Sequence, residues 1–275
     1  MSPLRTIPIE SADDPRIAEF RDIRERDLTG RQDRFIAEGT VVLRVLAEAA
    51  PQGRFVAEKV LLLANRVAGV AGLLAQLPPE VPVYVAQAPV MNAITGFDMH
   101  RGVLALGRRA VKPDCAEILR QLPETALAAV CCGISNHDNI GAIFRNAAAL
   151  GADAVLLDET CCDPLYRKAL RVSVGSVLAV PYSRAGSAET ILAALAEGGF
   201  SILALSPSGR ADIRAVEPGR RVALVLGTEG EGLPQDILSR FQSVRVPQAP
   251  GLDSLNVGTA TGIALYQIAS AMGRI

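Results

Sequence analysis

Three polar loops carry the residues of this chain best suited to hold a ligand. The first is "SNHDNIGAIFRN", over 135–146. Asp138 or Asn139 is expected to cap a helix there, and Gly141 permits close approach at the helix start. Arg145 falls in the second turn. Helical side chains lean toward the N-terminus, so its guanidinium could reach back to the loop that holds Asn139. The second loop is "LVLGTEGEGLP", over 224–234. Gly227, Gly230 and Gly232 let the backbone offer N–H and C=O groups directly to a ligand. Glu229 and Glu231 in the same loop would repel a pyrophosphate, and the spacing G-x-x-G-x-G is not the dinucleotide pattern G-x-G-x-x-G. An uncharged or cationic ligand edge fits better. The third loop opens "VPQAPGLDSLNVGTATGIALYQI", over 246–268, and packs Pro, Gly, Asp253, Ser254 and Asn256 into one cluster directly before a small, apolar helix. Something is bound or held at that junction.

Each loop follows or borders a segment that reads as a buried strand. "ALAAVCCGI" (126–134), "ADAVLLD" (152–158), "SVLAVPY" (176–182), "FSILALS" (200–206), "RVALVLG" (221–227) and "SVRVP" (243–247) are expected strands. They alternate with the helices "IGAIFRNAAALG" and "SAETILAALAEGG" and the segment "GLPQDILSRF". Nearly continuous apolar strands between helices predict a parallel sheet covered on both faces, with its ligand at the carboxyl ends of the strands. Upstream, a helix is expected from about Ala37 to Glu48, then a strand "FVAEKVLLL", a helix "NRVAGVAGLLAQL", and strands "VPVYVAQ" and "GVLALGRR". The organisation expected is an α/β chain in three parts: a smaller N-terminal α/β domain over 1–110, a linker with a first helix over 111–125, and the parallel-sheet domain over 126–275.

The bulk properties narrow the classes. The 275 residues suit two modest domains. No apolar run reaches the roughly 18 residues of a membrane span, and the opening "MSPLRTIPIESADD" lacks both a cleavable apolar stretch and an Arg-rich amphipathic one. A soluble intracellular, cytoplasmic protein is expected. Cys131-Cys132 and Cys161-Cys162 are adjacent pairs, not a disulfide framework, and read as small buried hydrophobes in a reducing compartment. With His100 and His137 the sole histidines and no CxxC spacing, no metal site is expected. The net charge of −1 does not advertise nucleic acid. Basic residues nonetheless crowd locally, at Arg16, Arg24, Arg26 and Arg34 and again at Arg101, Arg108 and Arg109. The interleaved acids around the first group suit ordinary pairing on a helix.

Taken in order, "NIGAIFRNA", "GTEGEGL" and "VPQAPGLDSLNVGTATGIALYQI" resemble the three signature motifs of the SpoU branch of the SPOUT RNA methyltransferases. The stretch "CCDPLYRKALRVSVGSVLAVP" is similar to the family's segment between the first and second motifs. "RFIAEGTVVLRVL" and "HRGVLALGRR" resemble the substrate-binding domain of many members, itself similar to RNA-binding ribosomal proteins. The chain departs from the family at Asn136-His137, where Asp-Pro is common, at Thr228 in place of Ser, and at Gly258-Thr259 in place of Ser-Val.

The resemblance implies methylation of a ribose 2′-hydroxyl in structured tRNA or rRNA, with S-adenosyl-L-methionine as donor. It also implies a C-terminal trefoil knot, an exception to the near absence of knots in proteins, and a homodimer through the knotted domain, with no DNA, membrane or metal partner. Backbone groups around Gly227, Gly232, Val246 and Leu255 would contact the cofactor, whose sulfonium charge suits Glu229. Arg145 would act on the hydroxyl, either as the activating base or by binding the adjacent phosphate and stabilising developing alkoxide charge. Asn139, Glu229, Ser254 and Asn256 would orient Arg145, the ribose and the loops. His137 would be a substitute base or a turn residue. Two other classes follow from the same residues. A catalytically inactive RNA-binding or ribosome-assembly module of this fold is opposed by the intact polar set. A dinucleotide oxidoreductase is opposed by the missing glycine fingerprint.

Overall fold

The structure is a computed structural model describing residues 5–21, 25–95, 102–251 and 253–275, with backbone only at 25 and 26. Arg24, His100, Arg101 and the side chain of Arg26 lie outside the described residues. Internal contacts divide the chain into two units, Met1–Val111 with Leu165–Leu178, and Lys112–Pro164 with Ala179–Ile275. Residues 165–178, expected within the second domain, thus belong to the first unit.

The first unit contains β1 (Thr6–Ile9), α1 (Glu25–Gln32), β2 (Arg34–Glu38), α2 (Thr40–Ala49), β3 (Phe55–Leu63), α3 (Val67–Leu74), β4 (Val83–Ala86), α4 (Ala88–Thr95) and β5 (Val103–Arg109). The strands form one mixed sheet in the order β1-β4-β3-β5-β2, with β5 antiparallel to both neighbours. β3 covers the expected "FVAEKVLLL" to the residue. Two strands were not foreseen. β1 is a four-residue edge strand containing Pro8, a residue that an edge tolerates because no ladder donor is required there. β2 takes the start of the expected helix: Ala37 and Glu38 pair with Ala105 and Leu104, and Gly39, at φ 92, turns the chain so that the helix begins at Thr40. From there Val42, Leu43, Leu46 and Ala47 fall on one buried face, the spacing of an amphipathic helix.

The second unit opens with α5 (Cys115–Gln121), whose capping box pairs Asp114 and Glu117, and continues through β6 (Ala126–Cys131), α6 (His137–Ala149) and β7 (Ala154–Leu157). The chain then contributes residues 165–178 to the first unit, including α7 (Arg167–Val172). The short helix α8 (Ser176–Ala179) spans the end of that segment, and β8 (Tyr182–Arg184), α9 (Ala188–Glu197), β9 (Ser201–Leu205), β10 (Ala211–Asp212), β11 (Arg221–Leu226), α10 (Gln235–Arg240), β12 (Gln242–Arg245) and α11 (Val257–Ala271) complete the second unit. Its seven strands run in the order β10-β12-β9-β11-β6-β7-β8, every pair parallel.

This is the parallel sheet expected from continuous apolar strands. All six residues of β6 are buried, which requires cover on both faces. Ala126, Ala128 and Val130 point to the side shared with Ile191, Leu192 and Leu195 of α9, and the alternate residues face the other way. The "SVLAVPY" strand is corrected: its first four residues are helical, and the strand is Tyr182–Arg184. A short apolar run is ambiguous between helix and strand by periodicity alone. Among the described residues no helix is long and apolar enough to cross a membrane.

Cys131 and Cys132 lie at the end of β6 and just beyond it, whereas Cys161 and Cys162 sit in the turn after β7, outside any strand. Burial pushes the Cys132 thiol up to about 12 and the Cys162 thiol to about 11, so both stay protonated near neutral pH. Cys161 Sγ accepts from Ile134 N and donates to Cys131 O, each at 3.3 Å, and so ties the loop after β6 in place.

A candidate cofactor cleft at the carboxyl edge of the sheet

The glycine loop leaves β11 at Gly227. A Cβ there would lie 2.3 Å from the carbonyl carbon of Gly232 and 2.4 Å from Leu233 N, so the two strands of the loop touch backbone to backbone. Gly232 N donates to Thr228 O at 3.2 Å, and Thr228 Oγ1 donates to Gly232 O at 3.3 Å, closing a tight turn. Thr228 therefore supplies the hydroxyl that a Ser would bring. The turn projects Glu229 toward the starts of α6 and α11.

At that point three side chains from three distant segments meet. Asn139 lies in the first turn of α6 and is 3% exposed. Its Nδ2 donates to Glu229 Oε1, and its Oδ1 accepts from Asn256 Nδ2 at 2.9 Å. Asn256 Nδ2 also donates to Glu229 Oε1, at 3.2 Å, while its Oδ1 accepts from Thr259 N at 3.2 Å. Asn256 is thus the N-cap of α11 as well as a bridge, which gives both ends of its amide a fixed job. The cap of α6 is a correction. Asn136 holds that position and accepts from Asp138 N at 2.9 Å, which frees Asn139 to face the loops, and His137 becomes the first helical residue.

Seven residues beyond Asn139 on the same helical face, Asn146 Nδ2 donates to Gly258 O at 2.8 Å. A Cβ on Gly258 would stand 2.8 Å from the Ala142 side chain, so α6 and α11 approach there at hydrogen-sized contact. Gly258, a departure from the family's usual Ser, fits that approach.

Between these loops and the carboxyl ends of β9, β11 and β12 lies a cleft of about 560 Å³, a size typical of small-molecule sites. Gly227, Glu229, Gly232, Val246, Ser254, Leu255 and Asn256 all line it. So do Ser206, Pro207 and Ser208, which the sequence reading passed over. They form a fourth polar loop after a strand, and that placement was the available signal. Gln248, also in the wall, donates to Asp253 O at 3.3 Å and braces the loop before α11. Among the described residues the lining holds two carboxylates, Glu229 and Glu231, and no Lys, Arg or His. Such a cleft disfavours phosphates and favours a positively charged ligand.

Arg145 is placed differently. It is exposed, is not among the cleft-lining residues, and makes no hydrogen bond or ion pair among the described residues. Six residues separate it from Asn139, about 9 Å of helix rise. Its charge is therefore available to a molecule that approaches α6 from solvent. No cluster of three or more potential metal ligands occurs among the described residues.

A fully parallel sheet, a glycine turn at its carboxyl edge and an acidic cleft closed by a capped C-terminal helix define an α/β domain built to hold a cationic or neutral small molecule. Comparison with known proteins makes the class specific. The SpoU rRNA Methylase family profile matches residues 126–266. An uncharacterized tRNA/rRNA methyltransferase of Mycobacterium bovis is 41% identical over 268 residues, 93% of this chain and 88% of the relative. The 23S rRNA (guanosine-2′-O-)-methyltransferase RlmB of a Burkholderia species is 30% identical over 186 residues, 66% of this chain and 74% of that protein. The crystal structure of an AdoMet-bound rRNA methyltransferase from Sinorhizobium meliloti superposes with a TM-score of 0.80 at 25% identity, covering 96% of this chain and 98% of that one. The chain belongs to the SpoU rRNA methylase family.

Proposed function

We propose that this protein transfers the methyl group of S-adenosyl-L-methionine to a ribose 2′-hydroxyl of tRNA or rRNA. The observation that carries the reading is the cleft's charge: two carboxylates and no cation among the described lining residues, beside a glycine turn closed by two hydrogen bonds. A sulfonium ligand fits that lining, whereas a dinucleotide would set its phosphates against Glu229 and Glu231. The RNA half rests on the family and on the 2′-O-methyltransferase named among the relatives.

When bound, the donor supplies an electrophilic methyl carbon. The residues supply position. Backbone groups at Gly227, Gly232, Val246 and Leu255 hold the cofactor, and the Asn139–Glu229–Asn256 network fixes the three loops against one another so that little reorganisation is needed during reaction. Ser254 and Asn256 orient the ribose. Arg145, whose side chain has no partner among the described residues, binds the phosphate next to the target sugar and stabilises negative charge on the 2′-oxygen as its proton passes to water. A guanidinium holds its own proton too firmly to serve readily as a base. The same reading includes a trefoil knot formed as the C-terminal chain passes through an earlier loop, a homodimer through the knotted domain, and work in the cytoplasm. The family resemblance supports each of these.

The test is direct. Calorimetry should detect S-adenosyl-L-methionine binding, and tritiated methyl from that donor should appear at ribose 2′-oxygens of rRNA or tRNA taken from cells lacking the gene. A protein that binds neither donor nor RNA would end the proposal.

A further inference from the structure

Two groups of cations occupy the first unit, and their surroundings differ. Arg34 and Arg108 share Glu58, at 2.7 and 2.8 Å, Lys59 is held by Glu19 at 2.9 Å, and Arg109 stands 3.9 Å from Asp33. The basic strand ends most conspicuous in the sequence are thus largely neutralised within the fold. A different arrangement surrounds a concavity of about 410 Å³ beside the start of α2, lined in part by Arg66 and Arg171. All its lining residues belong to the first unit, with Arg171 and Val174 contributed by the 165–178 segment. Its single carboxylate among the described lining residues is Glu38, and that charge is met by Arg167 Nε at 2.8 Å. Two guanidiniums against one carboxylate make the described lining net positive. The Arg171 side chain is exposed and makes no hydrogen bond or ion pair among the described residues.

The walls are also unusual. Val41 is 45% exposed, one of the few large apolar side chains so presented. Val174 has φ 53, a left-handed conformation that a β-branched residue rarely adopts. It holds the position after α7 where Gly is usual: Val174 N donates to Arg171 O at 3.1 Å and Gly175 N to Leu170 O at 3.0 Å, the pairing of a Schellman end. A strained apolar side chain beside two arginines is the kind of departure that gathers at ligand sites.

Resting on the RNA reading above, we propose that this concavity is an RNA-backbone subsite, in which Arg66 and Arg171 clasp a phosphodiester of the substrate while its sugar or base lies against Val41 and Val174. Guanidinium groups suit this because they bind phosphate oxygens in a fixed fork and stack on splayed bases. The paired cluster at Arg34, Arg108 and Arg109 then serves the fold and not the RNA.

The test measures binding of fluorescein-labelled total tRNA and of fragmented ribosomal RNA as a function of salt, for the wild-type protein and for Arg171→Ala, Arg66→Ala/Arg171→Ala, Arg171→Lys and Arg108→Gln. Thermal melts check folding, and calorimetry with S-adenosyl-L-methionine runs in parallel. Arg171→Ala should weaken RNA binding several-fold and lower the slope of log K against log salt by about 0.7 to 0.9, the amount expected for one lost phosphate contact. The double variant should lose about twice that slope, Arg171→Lys should restore most of it, Arg108→Gln should leave it unchanged, and donor affinity should not move. Unaltered affinity and slope in both Ala variants would overturn the subsite. So would displacement of RNA by inorganic phosphate alone at equal charge concentration, which would mark a free-anion site. If the wild-type protein binds donor but no RNA, the subsite and the RNA half of the function fall together. If it binds RNA with the predicted slopes but no donor, the subsite stands and the methyl-transfer reading fails.

Discussion

Two concavities of this chain carry opposite charge by opposite means. In the second unit the cleft presents Glu229 and Glu231 with no cation among the described lining residues, and Glu229 is held by two amides that leave its negative charge intact. In the first unit the concavity presents Arg66 and Arg171, and the one carboxylate among its described lining residues, Glu38, is met by Arg167. A chain of net charge −1 therefore holds one site suited to a cation and another suited to an anion. Overall charge says nothing about either; local pairing decides both. Amides can fix a carboxylate without neutralising it, whereas a guanidinium cannot. Asn139 and Asn256 in the acidic cleft, where Lys or Arg would also have supplied hydrogen bonds, follow from that distinction.

The sharpest way to break the contrast is at Arg145, a cation of the second unit that stands outside the acidic cleft. If it meets RNA and not the donor, Arg145→Ala should lower turnover by about 10³-fold, the scale of losing a charge-stabilising donor at a reacting oxygen. Donor affinity should stay within a few-fold. Normal single-turnover rates in that variant would remove Arg145 from the reaction. Loss of donor binding instead would place it in the cleft and undo the division of charge.

Next in size is a test of shape without charge. Gly227→Ala puts a methyl group 2.3 Å from the backbone of Gly232, which no rotamer change can relieve. The loop must open, at a cost of about 3 kcal/mol, and donor affinity should fall with it. A variant that melts like the wild type and binds donor normally would mean that the glycine turn does not shape the site.

Charge without shape is tested by Glu229→Gln. The amide oxygen can still accept from Asn139 and Asn256, so the network survives while one negative charge leaves the cleft. Affinity for S-adenosyl-L-methionine should drop by about 10-fold, or about 1.4 kcal/mol, while affinity for its uncharged thioether counterpart, S-adenosylhomocysteine, should change little. Equal losses for both ligands in a calorimetric titration would show that Glu229 acts by geometry alone.

These residues differ in how far the sequence disclosed them. The central strands of the second unit were readable because parallel strands buried on two faces must be apolar throughout, as "ALAAVC" and "RVALVL" are. β1 and β2 were not, since one is four residues long with a proline and the other ends in Ala37 and Glu38, both good helix formers. Asn139, Glu229 and Asn256 stood out as polar residues at strand ends. Their mutual bonding did not, because it closes gaps of 90 and 117 residues that the sheet order alone brings together. Local spacing also could not show that Arg108 faces Glu58, a partner 50 residues away.

The smallest effect expected is also the one that separates fold from function most cleanly. Val174 sits in a left-handed conformation that costs an L-residue about 1–2 kcal/mol, and a glycine would avoid this. Glycine brings its own loss of about 0.5–1 kcal/mol in unfolded-state entropy. Val174→Gly should therefore leave the protein unchanged or stabilise it by about 0.5 kcal/mol, since the two Schellman hydrogen bonds use backbone atoms alone. If the valine is there only to pack, the variant should instead lose stability, and RNA affinity should follow the melting temperature. If it forms the wall of an RNA subsite, stability should hold or rise while RNA affinity falls about 2-fold, with the salt slope unchanged because no charge is lost. A rise in melting temperature combined with weaker RNA binding is an outcome that packing alone does not produce.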